Sequence, residues 1–86
     1  MKRRIKRKMD KMKRREILEL LDLAMRKNEG KASVFFDFSG HVNLVNIRIH
    51  RDGYPNPVTR DMNCYTDMVS YNNTPFSEMK KELEAL

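Results

Sequence analysis

The sequence predicts an α+β protein: a three-stranded antiparallel meander with a long N-terminal helix and a short C-terminal helix, in the order α-β-β-β-α. Three patterns carry that expectation. Apolar residues recur at spacings of three and four between Asp10 and Asn28, they alternate with period two from Lys31 to His50, and the longer spacing returns after Thr74 and Pro75. With 86 residues there is material for one modest core, since chains this short bury only somewhat more than about 60% of their unfolded surface. We expect residues 10–86 to form one small domain and residues 1–15 to be a basic arm continuous with the first helix.

In the first helix, Ile17, Leu18, Leu20, Leu21, Ala24 and Met25 make a wide apolar stripe, and Asn28 with Gly30 stops it. Ile5, Met9 and Met12 extend the same spacing into the arm and are hard to bury in one small monomer, so they are the expected seam of a homodimer. Like charges four apart, such as Arg7 with Lys11 and Lys11 with Arg15, oppose helix formation there, as do cations at a helix N-terminus. The first turns should fray unless an anion binds.

Val34, Phe36 and Phe38 point one way, and Val45, Ile47 and Ile49 do the same beyond a turn at Ser39 and Gly40, which makes a β-hairpin. RDGYPNPVTRD holds Asp-Gly and two prolines and reads as a loop, and MNCYTDMVSY reads as a third strand returning antiparallel to the second. Thr74 as N-cap and Pro75 at the first helical position open the last helix, with Phe76, Met79, Leu83 and Leu86 on one face.

Composition removes several classes of function. No apolar run reaches the roughly 18 to 20 residues of a membrane span, and the basic start lacks the apolar core of a signal peptide. A single cysteine, Cys64, excludes a disulfide framework, and a cytoplasmic protein without membrane attachment is expected. The net charge of +6 divides into +9 over residues 1–15 and −3 over the rest, a basic arm on a mildly acidic body that calls for a polyanionic partner.

The arm therefore supplies the first candidate site. Arg3, Arg4, Lys6, Arg7, Lys8, Lys11, Lys13, Arg14 and Arg15 are positioned to neutralise nucleic-acid phosphates, releasing counterions, or to meet an acidic patch on a protein. A second candidate is a zinc site. If residues 50 and 64 pair across the Asp-Gly loop, His50, Asp52, Asp61 and Cys64 come within reach of one ion. No other cofactor is indicated, and no glycine loop or dinucleotide fingerprint is present. Cys64 with His50 as a catalytic dyad lacks an orienting third group and an oxyanion hole, so no enzyme is expected.

Phe35 and Tyr65 fall out of phase with the core positions, where an aromatic on an open sheet face could stack on bases. Tyr54 lies in a loop stiffened by Pro55 and Pro57 and, with Arg51, makes a candidate protein-binding element, since little conformational entropy remains to be lost there.

The stretch FDFSGHVNLVNIRIHRDGY, after a lysine-rich start and a leucine-rich helix, resembles small uncharacterised proteins of phages and prophages of Gram-positive bacteria over about residues 10–55. That resemblance implies a class of roles, including those of anti-CRISPR proteins, which bind a host machine without catalysis. The expected function is accordingly a non-catalytic factor that docks on a host nucleoprotein machine in the bacterial cytoplasm. The alternative is a direct, sequence-nonspecific RNA- or DNA-binding protein working through the arm.

Overall fold

The computed structural model describes residues 11–86, so the expectations for Arg3, Arg4, Ile5, Lys6, Arg7, Lys8 and Met9 lie outside the described residues. The elements are α1 (Arg14–Lys27), β1 (Ser33–Ser39), β2 (Leu44–His50), β3 (Arg60–Tyr65) and α2 (Phe76–Glu84). Both strand pairs are antiparallel and the order across the sheet is β1-β2-β3, which is the α+β meander the periodicities predict.

Helix α1 starts four residues later than the apolar spacing indicates. Residues 11–13 are not helical, and Lys13 is extended, with φ −90° and ψ 154°. Two contacts account for this. The Met12 N–H donates to the Tyr65 carbonyl at 3.4 Å, and its side chain, 3% exposed, is part of the core. The Lys13 N–H donates to the Glu16 carboxylate at 2.9 Å, which also places an anion at the positive end of the helix. Met12 is therefore buried within its own chain and is not available to the dimer seam expected of it.

The core stripe of α1 is also rotated from the expected one. Leu20, Leu23 and Ala24 are buried with Ile17 packed beside them, whereas Leu18 and Met25 are 57% and 65% exposed. Seven apolar side chains within nine positions define more than one arc, and the arc that faces the sheet is settled by packing, not by spacing.

Strand register places Val34, Phe36 and Phe38 opposite Ile49, Ile47 and Val45, and these opposite Arg60, Met62 and Cys64. Both helices cover this face. Met79 and Leu83 of α2 close the core beside Leu20, Ile47 and Met62, all without solvent exposure, and each such side chain contributes on the order of 1.5 to 3 kcal/mol. Ion pairs tie the layers at the rim. Arg60 of β3 pairs with Glu78 and, at 3.7 Å, with Glu82 of α2, and Lys80 of α2 lies 2.7 Å from Glu19 of α1. Hydrogen bonding to Glu19 raises the pKa of Lys80.

Strand β3 is shorter than expected and ends at Tyr65. Asn73 causes the departure. Its side chain takes the Tyr65 N–H at 2.9 Å and donates to the Met68 carbonyl at 3.1 Å, while the Thr74 N–H donates to the Asn63 carbonyl at 2.7 Å. The returning chain thus occupies the edge of β3 in place of further strand. Helix α2 begins at Phe76 with Pro75, not Thr74, in the N-cap position.

Candidate nucleic-acid interface

Among the described residues both helices lie on one face of the sheet and the other face is left open. It carries Ser33, Phe35 and Asp37 of β1, Asn46, Arg48 and His50 of β2, and Asp61, Asn63 and Tyr65 of β3. Phe35 sits directly opposite Arg48, whose guanidinium carbon lies 5.4 Å from the ring centroid, a cation–π arrangement. Beside it are two further rings. Phe35, His50 and Tyr54 are mutually edge-to-face, with centroids 5.3 to 5.6 Å apart and interplanar angles of 61° to 79°. Tyr54 is 67% exposed and Phe35 37%, while His50 is buried beneath the loop that follows it.

That loop, residues 51–59, is held by its own backbone. The Gly53 N–H donates to the His50 carbonyl at 2.9 Å, the Asn56 N–H to the Gly53 carbonyl at 2.9 Å, and the Thr59 N–H to the Ile49 carbonyl at 2.7 Å. The Tyr54 N–H donates to Ser33 Oγ at 3.0 Å, which pins the tyrosine over the start of β1. The Tyr54–Pro55 peptide is cis. A ring cluster on rigid strands and a hydrogen-bonded loop is pre-organised for stacking, because few rotamers are lost when a planar ligand arrives. Further along the face Asn46 donates to the side chains of Asp61 and Asn63, at 2.7 and 2.9 Å, giving a polar strip next to the rings.

Of the expected arm residues within reach, Lys11, Lys13, Arg14 and Arg15 are all exposed around the start of α1. Arg51 and Tyr54 are both exposed but look different ways, Tyr54 onto the ring cluster and Arg51 into a cleft beside the end of α1. Leu18, Leu21 and Met25 leave an exposed apolar line on α1.

The expected zinc site is not formed. Cys64 pairs with Val45, not with residue 50, and it is buried on the core face, while His50 and Asp61 belong to the open one. The assumed register is off by five positions, and any odd slip moves every side chain of a strand to the opposite face. Had Cys64 faced His50, Met62 would have left the core as well. No group of three His, Cys, Asp or Glu side chains that could hold a metal is present among the described residues. Burial raises the Cys64 pKa from 9.0 to about 11, and the side chain lies on the opposite face of the sheet from the His50 it was expected to meet.

Arg48 is the residue that sequence reasoning passed over. Its signal was its phase, since an arginine between Ile47 and Ile49 must face away from the core, and the short hairpin turn sets it opposite Phe35.

No protein-family model matches the chain, and no curated protein or solved structure gives a significant match. No described helix is long and apolar enough to cross a membrane.

Proposed function

We propose that the chain is a non-catalytic nucleic-acid-binding protein whose open sheet face stacks the bases of a single strand while basic residues take its phosphates. The observation that carries this reading is the cluster of Phe35, Tyr54 and Arg48 on the uncovered face, seated on buried His50. Base stacking on aromatic side chains contributes about 1 to 3 kcal/mol per base without requiring a particular sequence. Lys11, Lys13, Arg14 and Arg15, with the cations upstream, supply the salt-dependent part of the affinity.

The test is fluorescence anisotropy of labelled oligo(U) and of a duplex of matched length, across a salt series. The full chain should favour the single strand. Phe35→Ala and Tyr54→Ala should each weaken that binding by about 5- to 100-fold with unchanged circular dichroism. Removal of residues 2–15 should flatten the salt slope. Wild-type affinity in both alanine variants would refute the stacking role.

A second reading, a factor docking on a host nucleoprotein machine, is favoured by a different observation, the exposed Leu18, Leu21 and Met25 on α1 together with the Arg51 and Tyr54 loop. A contiguous apolar line of this kind suits a protein surface better than a polyanion. Leu18→Lys with Met25→Lys distinguishes the two: it disrupts docking on a protein and leaves the oligonucleotide affinity intact or higher.

A further inference from the structure

The exposed line of Leu18, Leu21 and Met25 on α1 meets, at its N-terminal end, an apolar hollow of about 420 Å³. Met12, Ile17, Leu18 and Phe38 supply its apolar wall, and Arg14 also borders it. Phe38 shares the sheet face of Val45 and the core, yet it remains about half exposed. At the other end of the line, two turns and about 10 Å further along the helix, the Met25 side chain stands in solvent.

A hollow and a knob on one helix are self-complementary. Two α1 helices packed antiparallel about a two-fold axis between Leu21 and Asp22 set Met25 of each copy against Leu18 of the other, at the mouth of its hollow. Methionine suits this fit, because its unbranched side chain adapts to an irregular gap.

The charges select the same register. Arg14 lies one turn before Leu18 and Glu29 one turn after Met25, so the pairing that sets Leu18 against Met25 also sets Arg14 against Glu29. Both side chains are exposed, and neither forms an ion pair or a hydrogen bond among the described residues. Each has the wrong sign for its own helix end, a cation at the first residue of α1 and an anion just past its last turn. In the antiparallel pair each meets an opposite charge and a helix end of the right sign. Asp22, next to the axis, is already paired with Arg26 at 3.0 Å.

We infer that the chain forms a two-fold dimer through α1, in which Met25 of each copy seats beside Leu18 and Phe38 of the other and Arg14 pairs with Glu29. This seam differs from the one expected of Ile5, Met9 and Met12, and it gives the apolar line of α1 a second copy as its occupant. The stacking cluster lies on the face of the sheet away from α1, so the dimer and the single-strand reading stand or fall separately.

The experiment is sedimentation velocity of the nuclease-treated full chain over a concentration series. The wild type should show a monomer–dimer equilibrium in the micromolar range, as befits a small interface. Met25→Lys places a charge in each hollow and should leave monomer alone. Arg14→Glu and Glu29→Arg should each weaken the dimer about tenfold, because each acts twice across the axis, and the two changes together should restore it. Both exchanges suit the dipole of their own helix, so an unchanged or higher melting temperature separates lost pairing from lost fold. Lys81→Glu, on α2, is the control and should leave the dimer as it is. A wild type that is monomeric at every concentration would overturn the inference and leave the line to a different protein. A dimer that survives Met25→Lys, an equal loss in Lys81→Glu, or no recovery when the two charges are exchanged would overturn it as well.

Discussion

The imidazole Nδ1 of His50 lies 2.6 Å from the backbone carbonyl oxygen of Asn56. A carbonyl can only accept, so Nδ1 carries the proton and the ring acts as a donor that clamps the loop after β2 to the sheet. Because His50 also touches both Phe35 and Tyr54, one side chain sets the geometry of the loop and of the stacking face together. His50→Leu keeps the bulk and removes the donor. We expect a loss of about 1 to 2 kcal/mol of stability, read by chemical denaturation, and faster proteolysis between residues 51 and 59. Unchanged proteolysis would show that the loop is held without the histidine.

Gly53 stands at φ +88°, and a Cβ built on it would come within 2.9 Å of the Lys31 carbonyl oxygen. Both facts penalise any side chain, the first by backbone strain and the second by a clash with main chain that cannot swing aside. Gly53→Ala should cost about 1 to 3 kcal/mol and push the loop away from the Lys31 backbone. Gly40→Ala is the control. Its Cβ would meet only the Phe38 ring, at 3.9 Å, and the change should stay within about 0.5 kcal/mol. Equal melting temperatures for the two variants would contradict this account.

These two residues also show how far the sequence could be read. The hairpin from Val34 to Ile49 was legible in its faces, because alternation puts both apolar rows on one side, but not in its turn, which spans residues 40–43 with Ser39 still in β1. The β2–β3 register was not legible, because the loop of residues 51–59 is too long for its turn type to fix the pairing. The misplaced zinc ligands follow from that one ambiguity. Phe35 and Tyr54 were legible as aromatics out of phase or on a loop. That they meet depends on the His50 clamp and on the backbone of Gly53, which no periodicity encodes.

Asn28, just past the last turn of α1, joins the helix to the sheet. Its Nδ2 donates to the Ala24 and Val34 carbonyls at 2.9 and 2.8 Å, and its Oδ1 accepts the Val34 N–H at 2.8 Å. The side-chain amide thus serves both a helix-end carbonyl and the outer edge of β1, as a neighbouring strand would. Asn28→Ala leaves part-buried backbone groups without partners, which costs more than the net value of a single hydrogen bond. A loss of about 2 to 4 kcal/mol is expected, whereas Asn28→Asp, which keeps the acceptor and loses the donor, should lose the bonds to the two carbonyls only. A native-like denaturation midpoint for the alanine variant would mean that water replaces the amide.

The last prediction concerns Cys64, fully buried on the core face of β3. Burial raises its pKa from 9.0 to about 11, the Met12 backbone hydrogen bond lowers it in part, and Glu16 raises it further. The unfolded chain ionises this thiol near its ordinary value, while the folded chain holds the proton longer. Between those values the folded state binds more protons, so its stability falls as pH rises. The contribution is complete below pH 9, declines from 9 to about 11, and levels off above, with a total loss on the order of 2 to 3 kcal/mol. Denaturant midpoints across this range should show the decline in the wild type and a smaller one in Cys64→Ala, measured against each variant's own value at neutral pH. The same burial predicts that a thiol reagent modifies Cys64 only at the rate of opening. Rapid labelling under native conditions, or a wild-type pH profile no steeper than that of the alanine variant, would show that the thiol is reached without disturbing the core.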